Sequence, residues 1–174
     1  MMNVRSAYRQ DIEGLSVVHV NSWKTTYEGV IADAVLSNLS IEGRKKSWEW
    51  IFENQKQDET TYVIETEGTI VGFINGGKSR ELELDYDAEI YSLYLLKEVQ
   101  GSGYGKLLFH KLVNQLRSDN YHSMMVWVLE ANPSLGFYKK MGGQYISQKE
   151  IKIGGETLIE VAFGWNDLSI ISAE

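Results

Sequence analysis

Gln100-Gly101-Ser102-Gly103-Tyr104-Gly105 is the stretch on which the reading of this chain turns. It follows the apolar segment Ile90-Tyr91-Ser92-Leu93-Tyr94-Leu95-Leu96, which reads as a strand. It precedes a helical pattern running from Lys106 to about Arg117. A glycine-rich turn between strand and helix lets the backbone approach a ligand closely and aims several N–H groups at one point. The helix N-terminus adds roughly half a positive charge there, so the turn suits a phosphate or pyrophosphate. Two common phosphate loops do not match it. A Walker A loop needs Ser or Thr after Gly-Lys, and here Leu107 follows Gly105-Lys106. A dinucleotide fingerprint would put its third glycine on Lys106. What remains is the spacing Q-x-x-G-x-G.

Working outward, 174 residues with a single proline and no linker or repeat suit one domain spanning residues 1–174. There are no cysteines, which excludes disulfides, thiolate metal sites and a cysteine nucleophile. The N-terminus lacks an apolar signal core and no run is long enough to span a membrane, so a cytoplasmic location without a membrane partner is the default expectation. A net charge of -7 argues against a nucleic-acid surface. It also works against an anionic ligand, which would have to rely on local N–H groups and lysines.

Periodicity predicts a strand at 4–8 and a helix over 11–23 carrying Ile12, Leu15, Val18 and Val20. A second helix is predicted over 41–53, capped by Ser40, with Trp48, Ile51 and Phe52 on one face. A hairpin turns at Glu67-Gly68, and strands follow at 88–96 and 123–129. The helix after the glycine turn has an apolar stripe of Leu108, Leu112, Val113 and Leu116. A short helix is expected at 133–141, and a last hairpin turns at Gly154-Gly155. The order implies an α/β chain with a mixed sheet and helices on both faces.

Four pieces of the chain together resemble the GNAT superfamily of acetyl-CoA-dependent N-acetyltransferases. The Q-x-x-G-x-G turn is similar to its pyrophosphate motif. Asn132-Pro133-Ser134-Leu135-Gly136-Phe137-Tyr138-Lys139-Lys140-Met141-Gly142 resembles its Asn, Phe-Tyr and Gly segment. Ala88 to Leu95, with Glu89 near its start, looks like its central strand. Trp23, Tyr27, Gly29, Val30 and Ile31 resemble a stretch found in bacterial small-molecule members. The resemblance implies a three-layer fold whose central strand splays from its neighbour.

It also implies roles. Backbone N–H groups of Gly101, Ser102, Gly103, Tyr104 and Gly105, with Gln100 where many members carry Arg, would hold the CoA pyrophosphate. Lys106, Lys139 and Lys140 would reach outer phosphates or remain solvated. The backbone of Leu93, Tyr94 and Leu95 would pair with the pantetheine arm, and one N–H would polarise the acetyl carbonyl. Asn132 would contact that arm. Tyr138 would protonate the departing sulfur, and Glu89 would accept the amine's proton through a water ordered by Tyr91. Trp23 and Tyr27, four apart on a helix, would line the acceptor pocket. Read without the resemblance, Glu89 is a solvent-facing strand-end carboxylate, Asn132 a helix cap before Pro133, Tyr138 a packing ring beside Phe137, and Trp23 and Tyr27 core aromatics. His110 falls on the polar side of its helix, and His19, His110 and His122 show no metal-ligand spacing.

The expected function is direct transfer of acetyl from acetyl-CoA to a primary amine of a small molecule. The acidic positions Glu81, Glu83, Asp85, Asp87 and Glu89 favour a cationic acceptor such as a polyamine. Acetylation of a protein N-terminus or lysine, a non-catalytic CoA-binding module, and binding of a different nucleotide are the alternatives. The apolar tail Leu168-Ser169-Ile170-Ile171 suggests a homodimer contact.

Overall fold

The computed structural model of the chain describes residues 1–172. Its elements run β1 (Met2–Ser6), α1 (Ile12–Thr26), α2 (Asp33–Asn38), α3 (Ile41–Asn54), β2 (Thr60–Thr66), β3 (Thr69–Lys78) and β4 (Ala88–Leu95). Then come α4 (Tyr104–Ser118), β5 (Met124–Leu129), α5 (Leu135–Lys140), β6 (Gln144–Ile153) and β7 (Glu156–Trp165). The seven strands form one sheet in the order β1-β2-β3-β4-β5-β7-β6. Among the described residues, only β4 and β5 pair in parallel.

The sheet separates two packed layers. The α4 stripe of Leu108, Leu112, Val113 and Leu116 is fully buried against Ile64, Ile74, Ala88 and Ile90. On the other face Leu15 and Val18 of α1 pack with Trp48 of α3 over Val63 and Phe73. Ser40 caps α3 by accepting from the Gly43 N–H at 3.0 Å. Glu67 and Gly68 take positive φ (49° and 76°), and Gly154 and Gly155 do the same (58° and 81°). Both hairpins therefore turn with the backbone twist that suits a tight connection.

Several expectations need correction. Helix α2 has no sequence signal, because its six residues carry one buried apolar side chain, Leu36, and no side-chain cap. Strand β6 begins at Gln144, well before the apolar part of its hairpin. It is the outer strand of the sheet, so its first half is free to be polar. His110 is buried, not on a polar face. The C-terminal segment carrying Asn166, Asp167 and Ile170 lies beside it and widens the buried face of α4. In the tail expected to make a dimer contact, Leu168 is buried in the chain's own core, Arg117 donates to its carbonyl at 2.7 Å, and Ser169 and Ile170 are exposed.

The start of α1 is tied to β1 by charge. Asp11 is buried and accepts from Arg5 at 2.8 and 3.0 Å and from the Tyr8 N–H at 2.8 Å. The Arg5 guanidinium, opposed by burial and helped by the Tyr8 N–H, holds the Asp11 carboxyl below the usual carboxylate range. A lowered folded-state value means that this stabilisation is complete above the ordinary value of about 3.9 and is lost as pH falls through the lowered one. Asp11→Asn is therefore expected to cost about 1–3 kcal/mol at neutral pH. It should also make the urea midpoint less sensitive to pH below about 4. Urea unfolding from pH 7 to 3 measures both.

Candidate active site

The site begins with a break in the sheet. β4 and β5 pair only through Ala88↔Met124, Glu89↔Met125 and Ile90↔Val126, and then diverge. At the same point β4 carries an extra residue. Asn75 opposes Ser92 and Gly76 opposes Ile90, so Tyr91 is bulged out of register. A Cβ on Gly76 would lie 2.8 Å from both the Glu89 carbonyl and Leu112, so glycine is what lets α4 and β4 close on each other there. The bulge reverses the facing of the strand. Ala88 and Ile90 face α4 before it, Leu93 and Leu95 face α4 after it, and Tyr94 turns toward α1.

Which backbone groups are left for a ligand follows from the ladder. The Leu96 N–H bonds the Val71 carbonyl at 2.9 Å. Alternation along an antiparallel pair then turns Tyr94 and Ser92 toward β3 and the N–H and C=O of Leu93 and Leu95 toward the gap. Gln100 donates to the Leu95 carbonyl at 3.2 Å and so anchors the glycine turn to the strand. In that turn Gly101 and Gly103 have φ of 78° and 85°. A Cβ on either would meet no protein atom within 4 Å, so both glycines serve conformation and not packing.

A cavity of about 390 Å³ lies over the gap, lined by Leu93, Tyr94, Leu95, Gln100, Gly101, Gly103, Gly105, Lys106, Asn132, Tyr138 and Lys140, among others. A second cavity of about 200 Å³ is lined by Trp23, Tyr27, Tyr91, Trp127, Leu129 and Glu160 as well as by Leu93, Tyr94, Asn132 and Tyr138. These last four residues belong to both walls, so the two cavities meet at the splay. Of the expected turn residues, Ser102 is exposed outside the cavity lining, Tyr104 packs against the core and Lys139 points to solvent.

Tyr138 is buried against Phe163 and Trp165, and burial raises its phenol well above the ordinary value. The Asn132 amide donates to the Tyr27 hydroxyl at 3.2 Å, and that hydroxyl lies 3.2 Å from the Tyr94 hydroxyl. Asn132 does not cap α5. Its Oδ1 accepts from the Ser134 N–H at 2.8 Å in a turn ahead of the helix, which starts at Leu135. This frees its amide for Tyr27. His19 stacks on Tyr94 at 5.6 Å, and burial pushes its pKa down to about 3, so it is a neutral wall residue.

Glu89 is not the solvent-facing strand-end carboxylate of one expected reading. It is 3% exposed and faces neither solvent nor either cavity lining. Its carboxylate accepts from the Arg80 side chain at 2.8 and 3.3 Å and from the Arg80 N–H at 3.0 Å. Arg80 in turn lies 4.0 Å over the Tyr91 ring. Of the acidic run, Glu83 and Asp85 are exposed on a loop away from the acceptor cavity, and Glu81 accepts from Trp127 Nε1 at 3.2 Å. Sequence reasoning missed Glu160, a half-buried carboxylate in the acceptor cavity. Its signal was slight, a lone Glu within the apolar run Leu158 to Ala162.

The sequence profile of the Acetyltransferase (GNAT) family matches residues 23–143. The chain belongs to that family. Over 172 residues it is 35% identical to the uncharacterized N-acetyltransferase YuaI of Bacillus subtilis strain 168, covering 98% of this chain and 96% of that one. The fold is similar to that of PaiA N-acetyltransferase from Thermoplasma acidophilum in complex with coenzyme A. There the TM-score is 0.69 at 22% identity, over 92% of this chain and 98% of that one. It is similar also to yncA from Salmonella typhimurium with its cofactor acetyl-CoA. That match has a TM-score of 0.71 at 20% identity, over 95% and 93% of the two chains.

A GNAT acetyltransferase takes its acetyl group from acetyl-CoA, and the residues here fit that co-substrate. The glycine turn at the head of the 15-residue α4 offers N–H groups and a helix dipole to an anion. The unpaired edge of β4 offers N–H and C=O groups to an amide-bearing arm. CoA at millimolar concentration is expected to raise the melting temperature, because it binds only the folded chain. Gly103→Val forces a β-branched residue to φ near 85° at the first turn of the site. It should abolish that CoA-induced shift in a thermal-unfolding assay while leaving the protein folded.

Proposed function

We propose that the chain transfers acetyl from acetyl-CoA directly to a primary amine of a small molecule. The observation that carries this is the meeting of two cavities across the β4–β5 gap, with Tyr138 on both walls. One cavity has the backbone donors and glycine turn that suit CoA. The other is walled by aromatic side chains from α1, β4 and β5, and its size of about 200 Å³ suits a small acceptor rather than a protein segment.

Acetyl-CoA supplies an activated acyl group as a thioester. Gly101, Gly103, Gly105 and Lys106 hold its pyrophosphate end. The N–H groups of Leu93 and Leu95 point into the gap, where one of them polarises the acetyl carbonyl. Tyr138 keeps its proton at neutral pH because burial disfavours the phenolate. It holds that proton where the two cavities join and gives it to the departing sulfur. Asn132 and Tyr27 position the Tyr94 hydroxyl and the acceptor wall through their chain of hydrogen bonds. Trp23, Tyr27 and Tyr91 contact the acceptor. Glu89 acts indirectly, by fixing Arg80 over Tyr91.

Tyr138→Phe keeps the ring and its packing, so affinity for CoA should change little. Loss of the proton should lower turnover by roughly 10²- to 10⁴-fold. Release of free thiol from acetyl-CoA in the presence of a panel of amines measures it. Turnover within a factor of about three of the wild type would reduce Tyr138 to a packing role.

A further inference from the structure

We propose that Glu160 binds the ammonium group of the acceptor and takes its proton, and that the acceptor is a small primary amine carrying an apolar arm. The proposal rests on the acetyl-transfer reading above and assigns the charge in its acceptor cavity.

Four observations carry it. Glu160 lines the acceptor cavity together with Tyr138, whereas Glu89 does not. Its side chain is 22% exposed, enough to meet a ligand and too little to be solvated like a surface carboxylate. Its carboxylate accepts no hydrogen bond from the described residues. The nearest cation, Lys149 Nζ, stands 3.8 Å away, and it is also shared with Glu81 at 4.0 Å and lies over the Trp127 ring. Finally, the other walls are Trp23, Tyr27, Tyr91, Trp127, Leu129 and Ile153. Those side chains can cover an apolar arm, and their π faces favour a neighbouring ammonium.

The charged and titratable groups around Glu160 come from each neighbouring element. β6 contributes Lys149, β4 contributes Glu89, Tyr91 and Tyr94, Tyr27 follows the end of α1, α5 contributes Tyr138, and β5 presents only uncharged side chains. Arg44 of α3 lies beyond Trp23, 5.5 Å from its ring. Burial, opposed by Lys149 and reinforced by Glu89, raises the Glu160 pKa above the ordinary glutamate value. A raised value suits a group that must take a proton and then release it.

The step balances as follows. The ammonium gives one proton to a Glu160 oxygen. The freed nitrogen lone pair forms the N–C bond to the acetyl carbon, and the C–S bond breaks. The departing sulfur takes the Tyr138 proton, the nitrogen's surplus proton returns to the Tyr138 oxygen, and Glu160 passes its proton to water. Ammonium and acetyl-CoA thus give amide, CoA thiol and one proton.

The test uses the full chain with phenethylamine, spermidine, kanamycin and leucine as acceptors. Glu160→Gln is expected to lower kcat/KM for the best amine by about 10²-fold and to raise its KM. The KM for acetyl-CoA and the CoA-induced thermal shift should stay at wild-type values. The acidic limb of the pH profile should disappear in Glu160→Gln and return in Glu160→Asp. In Lys149→Met the limb should move to higher pH, because the cation that favours the carboxylate is gone. Calorimetry gives a second readout without turnover. Phenethylamine should bind the wild-type CoA complex and bind the Glu160→Gln complex at least tenfold more weakly. If the wild type acetylates an amine and Glu160→Gln matches it within about threefold with an unmoved acidic limb, the assignment of Glu160 is overturned and the acetyl-transfer reading stands. If CoA binds but no amine is acetylated, the acetyl-transfer reading fails and the role of Glu160 falls with it.

Discussion

Backbone N–H and C=O groups in the middle of a sheet are costly to leave unpaired, and this fold leaves a row of them unpaired by design. Each buried donor or acceptor without a partner costs about 1–3 kcal/mol. Beyond Ile90↔Val126, β4 keeps its ladder with β3 but has none with β5. The core on both faces of the sheet, with Leu112 and Phe109 below and Leu15 and Phe73 above, holds the strands in that divergent arrangement. The two cavities are a consequence of the gap. A ligand that offers amides of its own restores the missing bonds, which is why the gap suits an extended amide-bearing arm.

The bulge at Tyr91 does the complementary work. A regular β4 would place Tyr94 on the α4 side with Ile90. One extra residue sends it to the α1 side, where it meets Tyr27, His19 and Trp23. The same shift turns Leu93 and Leu95 into the α4 core and leaves their backbone groups facing the gap. A single irregularity therefore sets the apolar layer, the acceptor wall and the free donors together, and Gly76 gives it the room it needs.

Three carboxylates near the site show how environment distributes roles. Glu89 accepts three hydrogen bonds from Arg80, Glu81 accepts from Trp127, and Glu160 has Lys149 at 3.8 Å but no hydrogen bond from the described residues. A carboxylate whose oxygens are already hydrogen-bonded has little left for a substrate. The exposed acids Glu83 and Asp85 lie outside the acceptor cavity and contribute a screened field rather than a contact.

The sequence by itself determined the elements whose signals are local. The glycine turn, the α4 stripe, the Ser40 cap and both tight hairpins depend on residues within a few positions of one another. Apart from Asn132, the residues expected to hold CoA also lie close in sequence, on a strand, a turn and a helix start that follow directly. Leu93, Tyr94, Leu95, Gln100, Gly101, Gly103, Gly105 and Lys106 come together along one cavity for that reason. Tertiary structure decided what depends on distant partners. Asp11 and Glu89 are buried because Arg5 and Arg80 reach them, and His110 is buried because the C-terminal segment covers it. Asn132 serves Tyr27 from 105 positions away. Glu160 enters the acceptor cavity only because β7 pairs beside β5 with Glu160 opposite Leu129. No periodicity in β7 marks it, because which side of a strand faces a cavity, and which acid is left without a hydrogen bond there, is settled by the elements packed around it.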